Sequence, residues 1–471
     1  MVPEHLKFGG GSLESRIHPA VLVTLLVVCG LILLLPRRFV IVPLLMASLL
    51  IPVGQNIVLG GQHFLAIRIL TLTGLLRLAP AKRTPWEPID KVFAAWALLR
   101  ATAFCLLFLD AGAVFNQVAF LLDYVGGFFV LRHLLQDRDD VRRAIRTLAL
   151  IALVLAACMT NEKLTAVNVF GYLTGSTEVT IRDGALRAQG PFAHALLAGS
   201  FGATLLPLFA WLWVDGKARV LALAGFGGAT VVTLTSASST PVLAYAAGIL
   251  GILLWPLRNH LRILRWSFAF LLTAGHLAMK APIWFLIARI DLVGGSSGFH
   301  RAMLIDQFIR HFFDWWLIGT NSNGSWGWDM WDTCNQFVTE GYTGGFATFL
   351  CFLALLRLCF RKLAAARRAC SAHSAAEWQF WLLGVAFFAH VVAFFGIVYF
   401  DQTRMAWLTL LAIVPAAVSS PPAAVTTRSP GARSVPDGPG EWFLPALRDA
   451  WPDLADPDPA RQHPAPQQVA R

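Results

Sequence analysis

Charge is what this sequence has least of. Asp, Glu, Lys and Arg supply 14% of its 471 residues, where a soluble chain carries about 25%. That shortage excludes an ordinary domain with a polar surface all round. Cysteine is sparse as well, with seven in the chain. Cys29, Cys105, Cys158, Cys351 and Cys359 fall in or near apolar runs, Cys370 in a basic connection, and Cys334 stands by itself. Their spacing suggests no zinc site, haem attachment or disulfide framework. No Asp-x-Asp pair or His/Asp cluster in the outer connections demands a metal, and no cofactor is expected. A small-residue cleavage site is also missing after the first apolar run, Val21–Leu35, which ends in Pro36-Arg37-Arg38. That run reads as a retained span rather than a signal peptide.

What is present is apolar sequence, 56% of all residues, gathered into runs. They read as Val21–Leu35, Phe39–Val53, Phe64–Leu78, Val92–Leu109, Val114–Leu131, Ala144–Met159, Ala193–Trp213, Val220–Leu234, Pro241–Trp255, Ile263–Ile287, Gly344–Phe360, Phe380–Tyr399 and Met405–Val418. About 20 residues of helix cross a hydrocarbon core, and in lipid the backbone must hydrogen-bond within its own segment. The expected fold class is therefore all-α: a polytopic integral membrane protein of about 12–13 transmembrane helices. The transmembrane domain covers 1–418. The Pro-rich segment 419–471 reads as a disordered cytoplasmic tail.

The net charge of +11 sits in alternate connections. Arg37-Arg38, Lys82-Arg83-Lys91, Arg138-Arg142-Arg143, Lys217-Arg219, Arg258-Arg262-Arg265 and Arg361-Lys362-Arg367-Arg368 occupy every second one. Gln55–His63, Asp110–Ala113 and Ser236–Thr240 carry no Lys or Arg. Basic short connections mark the cytoplasmic side, so the positive charge is topogenic and no nucleic-acid partner is expected. The same parity puts the two longest connections, 161–191 and 288–343, outside. It puts the N-terminus outside with thirteen spans; twelve, with both ends inside, would need one early segment to be re-entrant.

The polar residues concentrate in those two outer loops. The first ends in Arg182-Asp183-Gly184-Ala185-Leu186-Arg187, then Gly190-Pro191-Phe192-Ala193-His194. Arg182 and Arg187 have the planar fork that suits phosphate or diphosphate, although an interfacial pair reaching lipid headgroups would look the same. In the second loop, Leu304, Ile305, Phe308, Ile309, Phe312, Phe313 and Trp316 follow helical spacing. The segment 299–316 therefore predicts an amphipathic helix along the outer interface, with the glycine- and serine-rich stretch 294–298 as a flexible start. Trp326, Trp328 and Trp331 then alternate with Asp329, Asp332 and Asn335. Such a run suits sugar binding, with rings on apolar sugar faces and carboxylates on hydroxyls, or equally an aromatic belt. Within spans, Asp123 and Arg68 are either functional or polar packing contacts.

Taken together, the pattern resembles the O-antigen ligase and polymerase superfamily of bacterial surface polysaccharide synthesis. The matching pieces are Arg187-x-x-Gly190-x-Phe192-x-His194, Ser236–Thr240, Arg301, Ile318-Gly319-Thr320 and Asn335-x-Phe337-x-x-Glu340-Gly341. They cover about residues 64–399 in the family's order. The resemblance implies an inner-membrane enzyme, active at the periplasmic face, that transfers a glycan from undecaprenyl diphosphate to an acceptor hydroxyl. It also implies other polysaccharide assembly proteins as partners. Catalytic roles would fall to His194, Arg301 and Asp332. Substrate contacts would fall to Arg182, Arg187, Asp329, Asn335, Glu340, Trp328 and Trp331. The family's usual catalytic His before the Asn is Cys334 here, which leaves Asp332, Asp329, Glu340, His300 and His194 as candidate bases. The Ser-Arg pairing often seen in the family's middle motif is replaced here by Ser238-Ser239-Thr240-Pro241. A transporter or flippase of lipid-linked or anionic saccharide is the competing class, and a non-catalytic subunit of a polysaccharide machine is the third. Transport fits less well, because no internal repeat appears and few charges lie at mid-span.

Overall fold

The computed structural model describes residue 8 and residues 14–81, 84–289 and 298–419. The lead-in at 290–297, the pair Lys82-Arg83 and the tail from residue 420 lie outside the described residues. Helices take the place of the apolar runs almost one for one: α1 (Pro19–Leu34), α2 (Arg37–Leu50), α3 (Ala66–Leu78), α4 (Pro88–Phe108), α5 (Ala111–Leu134), α6 (Arg138–Thr165), α7 (Ala195–Asp215), α8 (Arg219–Thr235), α9 (Ser239–Leu253), α10 (Leu261–Ala278), α11 (Gly298–Arg310), α12 (Gln336–Arg368), α13 (Ala375–Phe394) and α14 (Asp401–Ser419). Six of them, α4, α5, α6, α7, α12 and α13, are long and apolar enough to cross a membrane. The chain is an all-α polytopic membrane protein, and the described strands are two short hairpins.

One expected span is not straight. The run Ile263–Ile287 is broken after α10, and the 3-10 turn Ile283–Arg289 leaves at 90° to it. Pro282 accounts for the break, since it disfavours helical geometry in the residue before it. The freed amide of Ile283 donates to His276 Nδ1 at 3.3 Å.

The alternating basic connections gather at one end of the bundle, where carboxylates hold them together. Asp140 accepts from Arg37 at 2.7 Å and Arg143 at 2.8 Å. Asp215 accepts from Arg142 and, at 3.3 Å, from Arg138. Glu87 takes Arg132 and Lys362, and Glu377 takes Arg258 and Arg367, each at 2.9 Å. Five of the basic connections, including 82–91 through Glu87, are thus tied by ion pairs between elements remote in sequence. The sixth, around Lys217, also joins through its carbonyl, which accepts from Arg146.

The opposite end collects the other connections. Gln402 donates to the carbonyls of Ile51 and Pro191. Gln55 donates to Leu173, and Asn335 to Phe395. Between the two ends, α7 runs through the centre of the core. Its small residues admit neighbours closely: a Cβ on Gly202 would sit 2.9 Å from the Ala229 carbonyl, and one on Gly228 of α8 would sit 3.0 Å from the Ala152 carbonyl of α6. Close backbone approach of this kind is how helices associate where lipid offers no hydrophobic drive.

The in-span charges Arg68 and Asp123 meet each other. Arg68 bonds both carboxylate oxygens of Asp123, at 3.0 and 2.9 Å, and Arg404 of α14 lies 3.4 Å from the same carboxylate. Asp123 sits in a π-helical turn, Leu122–Gly126. This is a structural tie between α3, α5 and α14.

The second long loop docks on α12 through glycines. The helix kinks at Gly345 (φ +74°, ψ −177°), where Phe346 N donates to the Trp316 carbonyl at 2.8 Å. A Cβ on Gly345 would meet the Leu317 carbonyl at 2.5 Å, and one on Gly319 the Tyr342 carbonyl at 2.4 Å. Gly345→Ala combines that clash with a left-handed backbone and should cost about 2 kcal/mol or more. Gly227→Ala serves as control, with nothing within 4 Å of the added atom. After graded heating in detergent, size-exclusion chromatography should show Gly345→Ala losing its monodisperse peak earlier than wild type, and Gly227→Ala keeping it.

Candidate functional site

The first loop is more ordered than its sequence reading implied. Thr180–Arg182 (β1) and Ala185–Arg187 (β2) form an antiparallel hairpin in which Thr180 faces Arg187 and Arg182 faces Ala185. Asp183 (φ +51°) and Gly184 (φ +74°) are the two-residue turn, the Asp-Gly combination that supplies two positive φ angles in tight hairpins. Directly opposed residues share a face of a sheet, so Arg182 and Arg187 project from the same side.

Behind the hairpin the chain is fixed by polar groups that the sequence reading passed over. Glu162, fully buried at the end of α6, accepts from the amides of Gln189 at 3.0 Å and Gly190 at 2.9 Å. Asn168 donates to the Gly190 carbonyl at 2.8 Å. Ala188 N donates to Thr235 at the end of α8. Arg187 is then anchored by a hydrogen bond to the Ser238 hydroxyl, which itself donates to the Ser236 carbonyl at 2.9 Å. An Arg–Ser pair therefore does exist, assembled from two loops rather than from adjacent residues.

The second loop supplies the facing half. α11 is amphipathic as expected, but the helix stops at Arg310 and a separate turn, Phe312–Trp315, follows. The Trp315 indole donates to the Phe308 carbonyl at 2.8 Å, taking the acceptor that the Phe312 amide would use in an unbroken helix. Leu304, Phe308, Trp315, Trp326, Met330 and Val338 form a small separate core under the loop. Ile309, Phe313, Trp316 and Leu317 stay exposed.

Arg301, at the head of α11, is only 9% exposed and lies against the Cys334 thiol, with Asp332 and Arg182 in electrostatic reach. Arg187 in turn feels Arg182 and Arg301, partly offset by Asp183. The three arginines thus converge from three positions in the chain. Burial, above all, holds the pKa values of Arg187 and Arg301 below the usual guanidinium range. Both nevertheless remain charged at neutral pH. Their buried Nε atoms have no hydrogen-bond partner. Burial pushes the Cys334 thiol up to about 11, against the pull of Arg301.

His300, adjacent to Arg301, places Nε2 3.0 Å from the Asp332 carbonyl. Donor atoms of His300, Asp332 and Cys334 all lie within 4.8 Å of one another. No Asp-x-Asp motif signalled this, because the grouping spans two ends of the loop. The exposed Trp328 and Trp331 (94% and 77%) flank it in sequence, together with exposed Asp329, whose φ is +60°. Trp326 is 1% exposed and belongs to the small core instead.

Three sequence candidates fall elsewhere. Asn335 caps α12: its carbonyl oxygen accepts from Phe337 N and Val338 N, and its amide donates to Phe395. Its polar atoms are thereby taken up structurally. Glu340 is fully buried, accepting from Trp96 Nε1 at 2.8 Å and Gln336 Nε2 at 2.6 Å, so it ties α12 to α4 and does not face the loops. His194 is exposed before α7, makes no side-chain cap, and turns its ring edge to Phe400 near Asp401.

The carboxylate of Glu162 satisfies two backbone donors at once, and losing it costs about 2–3 kcal/mol of local order. Glu162→Ala should therefore speed tryptic cleavage after Arg187 in the folded protein by about tenfold or more. Peptide mapping of timed digests reads this, and an unchanged rate would contradict the anchoring role. No protein-family model matches this chain, and no curated protein matches it significantly.

Proposed function

We propose that the protein is a glycosyltransferase that uses a lipid diphosphate-linked glycan as donor, extending or attaching a polysaccharide at the outer face of a bacterial inner membrane. The observation that carries this reading is the convergence of Arg182, Arg187 and Arg301 at one end of the bundle. Like charges gather at that density when a multiply charged anion is to be bound, and a diphosphate presents oxygens in the planar arrangement that guanidinium groups match. The partnerless Nε atoms of Arg187 and Arg301 supply donors for it. Undecaprenyl diphosphate suits the position, because its phosphates lie at the interface while the chain stays in lipid.

The reaction needs little beyond that clamp. The acceptor hydroxyl attacks the anomeric carbon, the carbon–oxygen bond to the diphosphate breaks, and the electron pair leaves with the phosphate. The arginines stabilise the charge that grows on the leaving group. The proton goes to the exposed Asp332 carboxylate, which stands beside His300 and Arg301. Trp328 and Trp331 offer rings for the sugar faces, and Asp329 lies between them in sequence as an acceptor for hydroxyls.

The test is a glycan assay in cells lacking the protein, complemented with wild type, Arg187→Ala or Arg301→Ala at equal membrane levels. Single lipid-linked units should accumulate, or polymer should remain unattached, unless wild type is supplied. Each arginine variant should retain about 1% of wild-type product or less, as for a donor at a developing charge. Normal polymer and attachment in the deletion strain would remove the reading, and units held on the cytoplasmic side would point to transport.

A further inference from the structure

We propose that His300, Asp332 and Cys334 form a binding site for a divalent transition metal of the zinc type. Three chemically different donors meet here: an imidazole from the first turn of α11, and a carboxylate and a thiol from the segment leading into α12. Their ligand atoms lie within 4.8 Å of one another. Tetrahedral zinc, with bonds of about 2.0–2.3 Å, needs ligand separations of about 3.3–3.8 Å. The remaining closure of about 1 Å is within the side-chain rotation open to an exposed Asp332 and half-exposed His300. A sulfur, nitrogen and oxygen set selects zinc over magnesium or calcium, which require oxygen ligands alone.

The imidazole is oriented for this role. The Asp332 carbonyl can only accept a hydrogen bond, so His300 Nε2 must carry the proton in their 3.0 Å contact. Nδ1 then keeps the lone pair. A metal-bound histidine is characteristically held this way, with its other nitrogen donating to a carbonyl or carboxylate. The charges fit as well. A thiolate and a carboxylate neutralise a divalent cation, so the filled site carries no net positive charge beside Arg301.

Three protein ligands leave a fourth position for water or another oxygen, as in catalytic rather than structural zinc sites. The site stands on its donor geometry whether or not glycosyl transfer is the reaction. Within that reading, the fourth position would take a phosphate or acceptor oxygen next to the arginines. One oxygen of Asp332 suffices as ligand, which leaves the other for the proton.

The test uses the purified full-length protein in detergent, first stripped with chelator, then titrated with Co2+ or Zn2+ alone. Wild type should bind about one equivalent. The cobalt form should show a thiolate-to-metal charge-transfer band that zinc displaces and that Cys334→Ser lacks. His300→Ala and Asp332→Asn should weaken binding about tenfold or more. A readout on wild type alone guards against misfolded variants. Mass-spectrometric mapping should show zinc slowing maleimide alkylation of Cys334, with chelator restoring the rate, while Cys370 at the other end of the bundle is unaffected. Alkylation of Cys334 at the same rate with and without zinc, or a cobalt spectrum without the thiolate band, would overturn the proposal. Since none of these readouts requires turnover, failure here is distinguishable from failure of the glycosyltransferase reading.

Discussion

Carboxylates tie remote connections together at one end of this bundle and pair only locally at the other, and the rest of the architecture depends on that difference. At one end Asp140, Asp215, Glu87 and Glu377 each take two basic partners. Apart from the i,i+3 pair Asp140–Arg143, these pairs join segments that have no sequence proximity and hold the bundle in register. Each is partly or fully shielded from solvent, where removing one partner would strand a charge at a cost of about 3–5 kcal/mol. At the other end the loop ion pairs are local, Arg182 with Asp183 and Arg310 with Asp306, and among the described residues no carboxylate bridges Arg187 or Arg301 to another connection. Arg187 rests on a neutral hydroxyl, and Arg301 lies against a thiol. Positive charge is neutralised where it serves the fold and left available where the loops meet.

Holding guanidinium groups together against their repulsion requires a stiff frame, and the loops are built accordingly. A tight hairpin carries Arg182 and Arg187, and Glu162, Asn168 and Ser238 fix its exit. The second loop has its own apolar core around Trp326 and is locked to α12 at Gly319 and Gly345. Neither loop behaves as a tether between spans. The result is a preorganised cationic corner beside a group of three potential ligands.

Much of the fold was legible in the sequence because the membrane makes it so. Apolar runs must be helical, and among the described residues the basic connections gather at the ion-paired end. The tenth run departed because Pro282 sits inside it, a signal that apolar run length alone ignores. The site was legible in part. Arg182 and Arg187 were identifiable from residue type and position, and Arg301 only through the family resemblance. The hairpin was also written in Asp183-Gly184, though a reading tuned to spans overlooked it. By contrast, Asn335 and Glu340 carry side chains suited to sugars but are used as a helix cap and a buried interhelical acceptor. Only the three-dimensional path of the chain decides between such uses. The meeting of His300 with Cys334 is of the same kind, since loop closure across more than thirty residues brings them together.

The central claim is that the convergent arginines hold a diphosphate at the membrane surface. Its most direct measurement is equilibrium binding of undecaprenyl diphosphate to the protein in lipid nanodiscs, for wild type and for the double variant Arg187→Gln, Arg301→Gln. Two charge-assisted contacts at about 1.5–3 kcal/mol each predict affinity at least about a hundredfold lower in the variant. Undecaprenol, which lacks the phosphates, should bind both proteins alike. Equal diphosphate affinity in wild type and the double variant would contradict the account.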